Sequence, residues 1–234
     1  MNLFYAPDLL PDASRYVFDK AESRHISKVL RKLPGDTLQL TDGKGGWYEA
    51  IIIKADPKET MVQIRWHAQL KRRNYRIHVA MAPTKSNDRF EWFLEKATEM
   101  GIDTITPLLT AHSERKKINK ERYEKIIVAA MKQSLQAFKP QLNDMTSWKS
   151  FLDQIRDTDD QKTIAYCRAK QPLKEVLTGS NDILILIGPE GGFSNEELTQ
   201  AKLAGFEPVL LSPNRLRTET AGMVAVASVH LILD

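Results

Sequence analysis

The sequence predicts an α/β protein built in two parts. A small β-rich unit occupies residues 1–73, and a larger unit with a mainly parallel sheet occupies residues 74–234. Short strand-like runs separated by tight turns, with one helix among them, fill the first part. In the second, strand-like and helical stretches alternate, the pattern of a parallel sheet covered by helices on both faces. Lys71-Arg72-Arg73-Asn74, polar and basic, separates the two rhythms.

In the first part, Tyr16-Val17-Phe18 reads as a strand and Glu22 to Leu33 as a helix ended by Pro34-Gly35. Thr37 to Thr41 and Trp47 to Ile53 flank Asp42-Gly43-Lys44-Gly45-Gly46, a hairpin signal. Met61 to Trp66 adds a further strand after Asp56-Pro57, which suits a small barrel. Along the helix, Arg24, Lys28, Arg31 and Lys32 recur at spacings of three and four and share a face. Ile26, Val29, Leu30 and Leu33 form the opposite stripe. Such a basic face either contacts phosphates or is a solvated amphipathic surface.

The second part opens with Arg76 to Met81 as a strand. Asn87 to Met100 follows as an amphipathic helix that presents Phe90, Phe93, Leu94 and Ala97 on one side. Ile105 to Leu109 is the next strand, Lys120 to Phe138 a long helix, Ser147 to Ile155 a shorter one, and Thr163 to Cys167 a strand. Ile183-Leu184-Ile185-Leu186-Ile187 is unbroken apolar sequence, as a strand buried on both faces requires. After Gly188 to Gly192, Ser194-Asn195-Glu196-Glu197 is a capping box that starts a helix. Pro208 to Leu211 is a short apolar run. Met223 to Leu233 is apolar almost throughout, a helix to be buried in the core or against another subunit.

Composition narrows the function classes. The chain has 234 residues, 42% hydrophobic and 27% charged, as soluble globular proteins do. No apolar stretch approaches the ~20 residues that span a bilayer, and Met1 to Asp8 lacks the features of a secretory signal. Cys167 is the only cysteine and the five histidines have no ligand-like spacing, so the expectation is a cytoplasmic, metal-free protein. Net charge is +4. Residues 1–75 hold 13 Lys/Arg against 9 Asp/Glu, whereas the remainder holds 21 of each. A basic N-terminal part suggests an anionic partner, nucleic acid foremost.

Two segments carry the chemistry. Ile187-Gly188-Pro189-Glu190-Gly191-Gly192 joins a strand to a helix N-terminus, where backbone can approach a ligand closely. It lacks a P-loop lysine and puts Glu190 where a second dinucleotide-motif glycine would stand, so it is no phosphate cradle. Asn214-Arg215-Leu216-Arg217-Thr218-Glu219-Thr220 is a polar, charged loop leading into a buried helix, which suits a tightly mounted catalytic loop.

Gly188 to Ser194, followed by Leu216-Arg217-Thr218-Glu219-Thr220-Ala221, resembles the RsmE family of ribosomal RNA methyltransferases in the SPOUT superfamily. Likeness extends over essentially the whole chain. It includes Arg24-His25-Ile26 with Val29-Leu30-Arg31, Lys85 with Lys96 to Gly101, Ser113 with Arg115, and Gln133-Ser134. The chain departs from the family after Gln133-Ser134, where Leu135-Gln136-Ala137-Phe138-Lys139 stands in place of an expected basic residue, and at Asn214, where the family usually has arginine although Arg215 is adjacent. The resemblance implies a C-terminal trefoil-knotted α/β domain that binds S-adenosylmethionine, an N-terminal PUA-like β-barrel that holds RNA, and a homodimer. It implies methylation of uridine N3 in small-subunit (16S) ribosomal RNA. For the cofactor it implies Ile187, Gly188, Pro189, Glu190, Gly191, Leu211, Leu216, Thr218 and Ala221. For RNA it implies Arg24, Lys28, Arg31, Lys85 and Arg115.

Uracil N3–H is a weak acid and must lose its proton to become a nucleophile. Arg217 is a candidate to favour the anion, since guanidinium offers a planar fork to the carbonyl oxygens. Glu219 is a candidate to accept the proton or, alternatively, a brace for Arg217. A non-catalytic RNA-binding or assembly protein would not need these loops. A phosphate-binding transferase would need a loop that is absent, and a related methyltransferase acting on another RNA would share them.

Overall fold

The computed structural model describes residues 2–178 and 182–234, which fall into two compact units. The first holds residues 1–72 and 128–139, the second residues 73–127 and 140–234.

The first unit begins with β1 (Leu3–Tyr5), β2 (Arg15–Val17) and α1 (Lys20–Arg24), then β3 (Thr37–Thr41), β4 (Gly46–Lys54) and β5 (Met61–Gln69). They form one five-stranded sheet in the order β1-β3-β4-β5-β2. The predicted hairpin is present: β3 pairs antiparallel with β4, and Asp42 Oδ1 accepts from the backbone N–H of Lys44 and Gly46 to close the turn. Phe4, Phe18, Ile26, Leu40, Tyr48 and Ile52 fill its core.

The helical segment departs from the expected Glu22–Leu33. It starts earlier, capped by Asp19, whose side chain accepts from the Glu22 N–H at 2.8 Å. At His25–Val29 the winding widens to a π-helix, and Arg31 then takes a left-handed φ of 53°. More residues per turn keep Ile26 buried with Leu30 packed on the same core, but rotate Val29 outward. Val29 and Leu33 are therefore 65% and 67% exposed and do not belong to the apolar stripe.

Residues 128–139, placed by the sequence in the later unit, pack with the early one. Ala137 O accepts from Gly45 N–H and Thr41 Oγ1, Lys139 N–H donates to Gly43 O, and Arg72 lies over the Phe138 ring. Lys132 pairs with Glu22.

The second unit contains β6 (Ile77–Met81), α2 (Asn87–Glu99), β7 (Thr104–Leu109), the first half of α3 (Lys120–Gln133), β8 (Gln141–Leu142), β9 (Thr146–Ser147), α4 (Trp148–Gln154), β10 (Gln161–Ala165), α5 (Leu173–Val176), β11 (Ile183–Ile187), α6 (Asn195–Leu203), β12 (Glu207–Val209) and α7 (Thr218–Leu233). Every strand pairing in it is parallel, in the order β12-β10-β11-β6-β7-β8, with β9 also on β7. The two-residue period of β11 explains its unbroken apolar run. Ile183, Ile185 and Ile187 join Phe90, Phe93 and Val226 on one face, whereas Leu184 and Leu186 join Phe151, Ile155 and Ala201 on the other. Each such side chain contributes about 1.5–3 kcal/mol when buried, so this strand anchors both layers.

Helix α3 ends five residues before the predicted Phe138. Gln136 N–H donates to Met131 O and Leu135 N–H to Lys132 O, a Schellman closure that puts Leu135 at φ 55°. Strand β10 lies two residues earlier than expected. Helix α7 begins at Thr218 rather than Met223, so Thr218, Glu219 and Thr220 of the charged loop lie in its first turn.

His78 lies on the α4 side of β6, with Nε2 2.8 Å from Thr106 Oγ1, and burial pushes its pKa from the ordinary 6.5 down to about 4. Unfolding lets it take a proton, so its contribution is complete above pH 6.5 and is lost as pH falls toward 4. The expected size is up to about 3 kcal/mol over that window. In urea unfolding at pH 7 and pH 4.5, His78→Leu is expected to lower stability at pH 7 and to show a smaller drop between the two. An undiminished drop would assign the pH dependence to other groups.

Candidate active site

The carboxyl ends of β12, β10 and β11, three adjacent strands, open onto one cavity of about 500 Å³. In open parallel sheets this is where ligands are received. Ile187, Gly188, Pro189, Glu190 and Gly191 form one wall, and Leu211, Leu216, Arg217, Thr218, Glu219 and Ala221 another. The structure thus brings every cofactor and catalytic candidate into a single cavity, although the two segments are separated by α6 and β12.

Helix α6 fixes the first wall. Ser194 Oγ accepts from Glu197 N–H, and Glu197 Oε2 accepts in return from Ser194 N–H, completing the predicted capping box. The other carboxylate oxygen of Glu197 accepts from Ala111 N–H at 2.8 Å, so one buried glutamate ties the helix start to the loop after β7. His112 on that loop meets Gly192 O through Nδ1 at 3.0 Å. Glu190 Oε1 accepts from Lys85 N–H at 3.1 Å.

The start of α7 fixes the second wall. Arg217 is its N-cap, with extended backbone, and Thr218 and Glu219 are buried in the first turn. A carboxylate there is favoured by the helix dipole. The cation beside Glu219 is Arg89, with Nε at 3.8 Å from Oε1. Arg217, which Glu219 was expected from the sequence to brace, makes no side-chain hydrogen bond or ion pair among the described residues, and it is exposed.

Arg89, Tyr166, Cys167 and Arg168 also line the cavity and were not among the site residues expected from the sequence. Tyr166, Cys167 and Arg168 follow β10, and position at a strand's carboxyl end was the signal that could have found them. No local signal marks Arg89, because its partner lies 130 residues away.

The RNA candidates are divided between the two units, and none of them lines this cavity. Arg24, Lys28 and Arg31 are exposed in the first unit. Lys85 pairs through Nζ with Glu114 at 2.8 Å. Arg115 turns inward, its Nε donating to Thr84 O and its Nη2 to Lys85 O, and so braces the segment between β6 and α2. Among the described residues no group of His, Cys, Asp and Glu could hold a metal, and no helix is long and apolar enough to cross a membrane.

Known proteins resemble this chain along its length. The RNA methyltransferase domain family matches residues 71–230, and the RNA methyltransferase PUA domain family matches residues 18–64. The ribosomal RNA small subunit methyltransferase E of Buchnera aphidicola is 29% identical over 227 residues, covering 94% of this chain and 89% of that protein. The crystal structure of the "probable rRNA-methyltransferase" of Porphyromonas gingivalis is 40% identical, covers 100% of this chain and 98% of that one, and superposes with a TM-score of 0.91. The Neisseria gonorrhoeae ribosomal RNA small subunit methyltransferase E, solved bound to S-adenosyl methionine, is 26% identical, covers 99% and 97% of the two chains, and gives a TM-score of 0.88. With a family match over residues 71–230 and likeness that runs the length of the chain, this protein belongs to the RsmE family of RNA methyltransferases.

Proposed function

We propose that this protein methylates uridine N3 in small-subunit ribosomal RNA with S-adenosylmethionine as donor. The observation that carries the reading is the single cavity formed by Ile187 to Gly191 and Leu211 to Ala221 at the sheet's carboxyl edge. Its residues fit the donor chemically. Ile187, Leu211, Leu216 and Ala221 offer apolar surface to an adenine ring, and Glu190 places a carboxylate where a cationic ligand is favoured and a phosphate is not. When bound, S-adenosylmethionine supplies an electrophilic methyl group on a sulfonium.

The chain's own residues do the rest. The walls hold the base edge against the donor, which turns a bimolecular encounter into a positioned one. Guanidinium on the wall, with Arg217 the first candidate, favours the N3 anion over N3–H. The proton goes to Glu219 or to water. Reaching N3 requires the uracil to be unpaired or flipped. Calorimetry with S-adenosylmethionine tests the donor, and mapping methylated nucleotides in ribosomal RNA from a strain lacking this protein tests the product. Absence of donor binding, or an unchanged methylation map, overturns the reading.

The first unit supplies RNA affinity in this proposal. Replacing Arg24, Lys28 and Arg31 together is expected to weaken RNA binding and to reduce its salt slope by roughly one unit per lost phosphate contact. An unaltered slope in a salt titration makes that face merely solvated.

The proposal places the protein in the cytoplasm as a homodimer. Helix α7 buries Gly222, Ala225, Val226 and Val229 inside its own unit but leaves Leu231 86% exposed and Met223, Ile232 and Leu233 partly so. A second copy covering that apolar end gives an isologous interface. Light scattering at micromolar concentration is expected to give twice the chain mass of 26.7 kDa, and a monomer contradicts the assembly.

A further inference from the structure

Of the four arginines that line the cavity, Arg89 and Arg217 differ in their surroundings. Arg217 has no side-chain partner among the described residues, so fixing its guanidinium on a base loses rotamer freedom at the moment of binding. Arg89, near the start of α2 and 43% exposed, has a charge partner in a buried carboxylate, with Nε 3.8 Å from Glu219 Oε1, an ion-pair contact without a hydrogen bond. That carboxylate is fixed by the first turn of α7. Helices α2 and α7 also pack against each other through Phe93 and Gly222, so the two ends of the pair ride on one rigid contact. A donor already biased toward the site by a charge partner loses less freedom in stabilising developing charge than one with no partner.

We propose that Arg89 is a catalytic residue, its guanidinium contacting the uracil carbonyl oxygens and favouring the N3 anion, and that Glu219 is its positioning residue. This rests on the uridine-methylation reading above and refines the same site. In the step concerned, the N3–H proton leaves to water and the N3 lone pair takes the methyl carbon. The carbon–sulfur bonding pair stays on sulfur, which becomes a neutral thioether. Charge at N3 is shared with the flanking carbonyl oxygens, so a planar fork fits it where an ammonium does not. Arg217, unheld, is left to be ordered by the incoming RNA.

Single-turnover methylation of ribosomal RNA from a strain lacking the protein, at saturating S-adenosylmethionine and across pH, tests the pair. Arg89→Leu is expected to lower the rate about 100-fold or more, with donor affinity by calorimetry within about twofold of wild type. Arg89→Lys should fail similarly despite its charge. The deficit of both should narrow as pH rises, and narrow again on transcripts made with 5-fluorouracil, whose N3–H is more acidic. Free guanidinium ion should partly restore an Arg89→Ala enzyme where ammonium does not. Glu219→Gln should give a smaller loss of the same kind, and the Arg89→Leu/Glu219→Gln double variant should be no slower than Arg89→Leu alone. Wild-type rate in Arg89→Leu, a deficit indifferent to pH and to 5-fluorouracil, or fully additive losses would each overturn the pair. Glu219→Gln slower than Arg89→Leu would return Glu219 to the proton-acceptor role and also overturn it. Failure of the wild-type protein to bind donor or methylate the RNA removes the underlying reading instead.

Discussion

Gly222→Val is expected to destabilise the second unit by several kcal/mol, a large share of the ~5–15 kcal/mol that holds a typical domain folded. Gly222 sits in α7 against α2, where an added Cβ would lie 2.6 Å from Cε2 and 2.9 Å from Cδ2 of Phe93, and 3.0 Å from Met81 Sδ. None of these neighbours can yield outward, because Phe93 and Met81 are fully buried. Alanine in a helix gains up to ~1 kcal/mol over glycine from propensity, yet one misplaced methyl in a packed core loses about 1–3. Sterics win. Gly222→Ala should therefore be destabilising in urea unfolding, and valine more so. Trimming the ring with Phe93→Leu should recover part of the alanine loss. Wild-type stability for Gly222→Ala would mean that α7 can slide away from α2 at little cost.

This close approach marks one limit of what the sequence discloses. The apolar face of α2, with Phe90, Phe93, Leu94 and Ala97, was legible because burial repeats at helical spacing. Its partner was legible only as a helix apolar all round, since a glycine says nothing about which ring it admits. The β11 strand was likewise plain from five apolar residues, because a strand between two helical layers has no polar face to alternate.

Elements failed where winding departs from the regular period. Spacings of three and four assume 3.6 residues per turn, and the π-helix at His25–Val29 breaks that assumption. Leu135 closes α3 in a left-handed conformation that glycine or asparagine would have announced. Arg217 caps α7 without a side-chain cap bond, so Thr218, Glu219 and Thr220 read as loop. That last departure matters for the site. Moving the helix start back to Thr218 gives Glu219 a fixed place beside Arg89, whereas a loop would have left it to Arg217. The cavity's two motifs were legible in sequence, and the contact between them and α2 was not.

Gly191→Val is expected to abolish donor binding while the protein stays folded. A Cβ on Gly191 would come 3.2 Å from Cβ of His112, tighter than ordinary contact, before valine's two further methyls are placed. His112 in turn holds Gly192 O through Nδ1, and Glu197 holds Ala111 beside it. The side chain therefore acts first on this brace, and through it on the wall formed by Gly188 to Gly191. Since the segment is surface loop rather than core, the cost falls on the cavity's shape and not on the sheet. Gly191→Ala should weaken donor binding less than valine does, because it adds only the one tight contact. His112→Gly, which removes the Cβ itself, should relieve that contact, and in the Gly191→Ala background it should restore part of the affinity if crowding at His112 is the cause. Calorimetry with S-adenosylmethionine reads the affinities, and urea unfolding confirms that each variant remains folded. Unchanged affinity in folded Gly191→Val would remove this loop from the donor site and leave the Leu211 to Ala221 wall to hold the ligand alone.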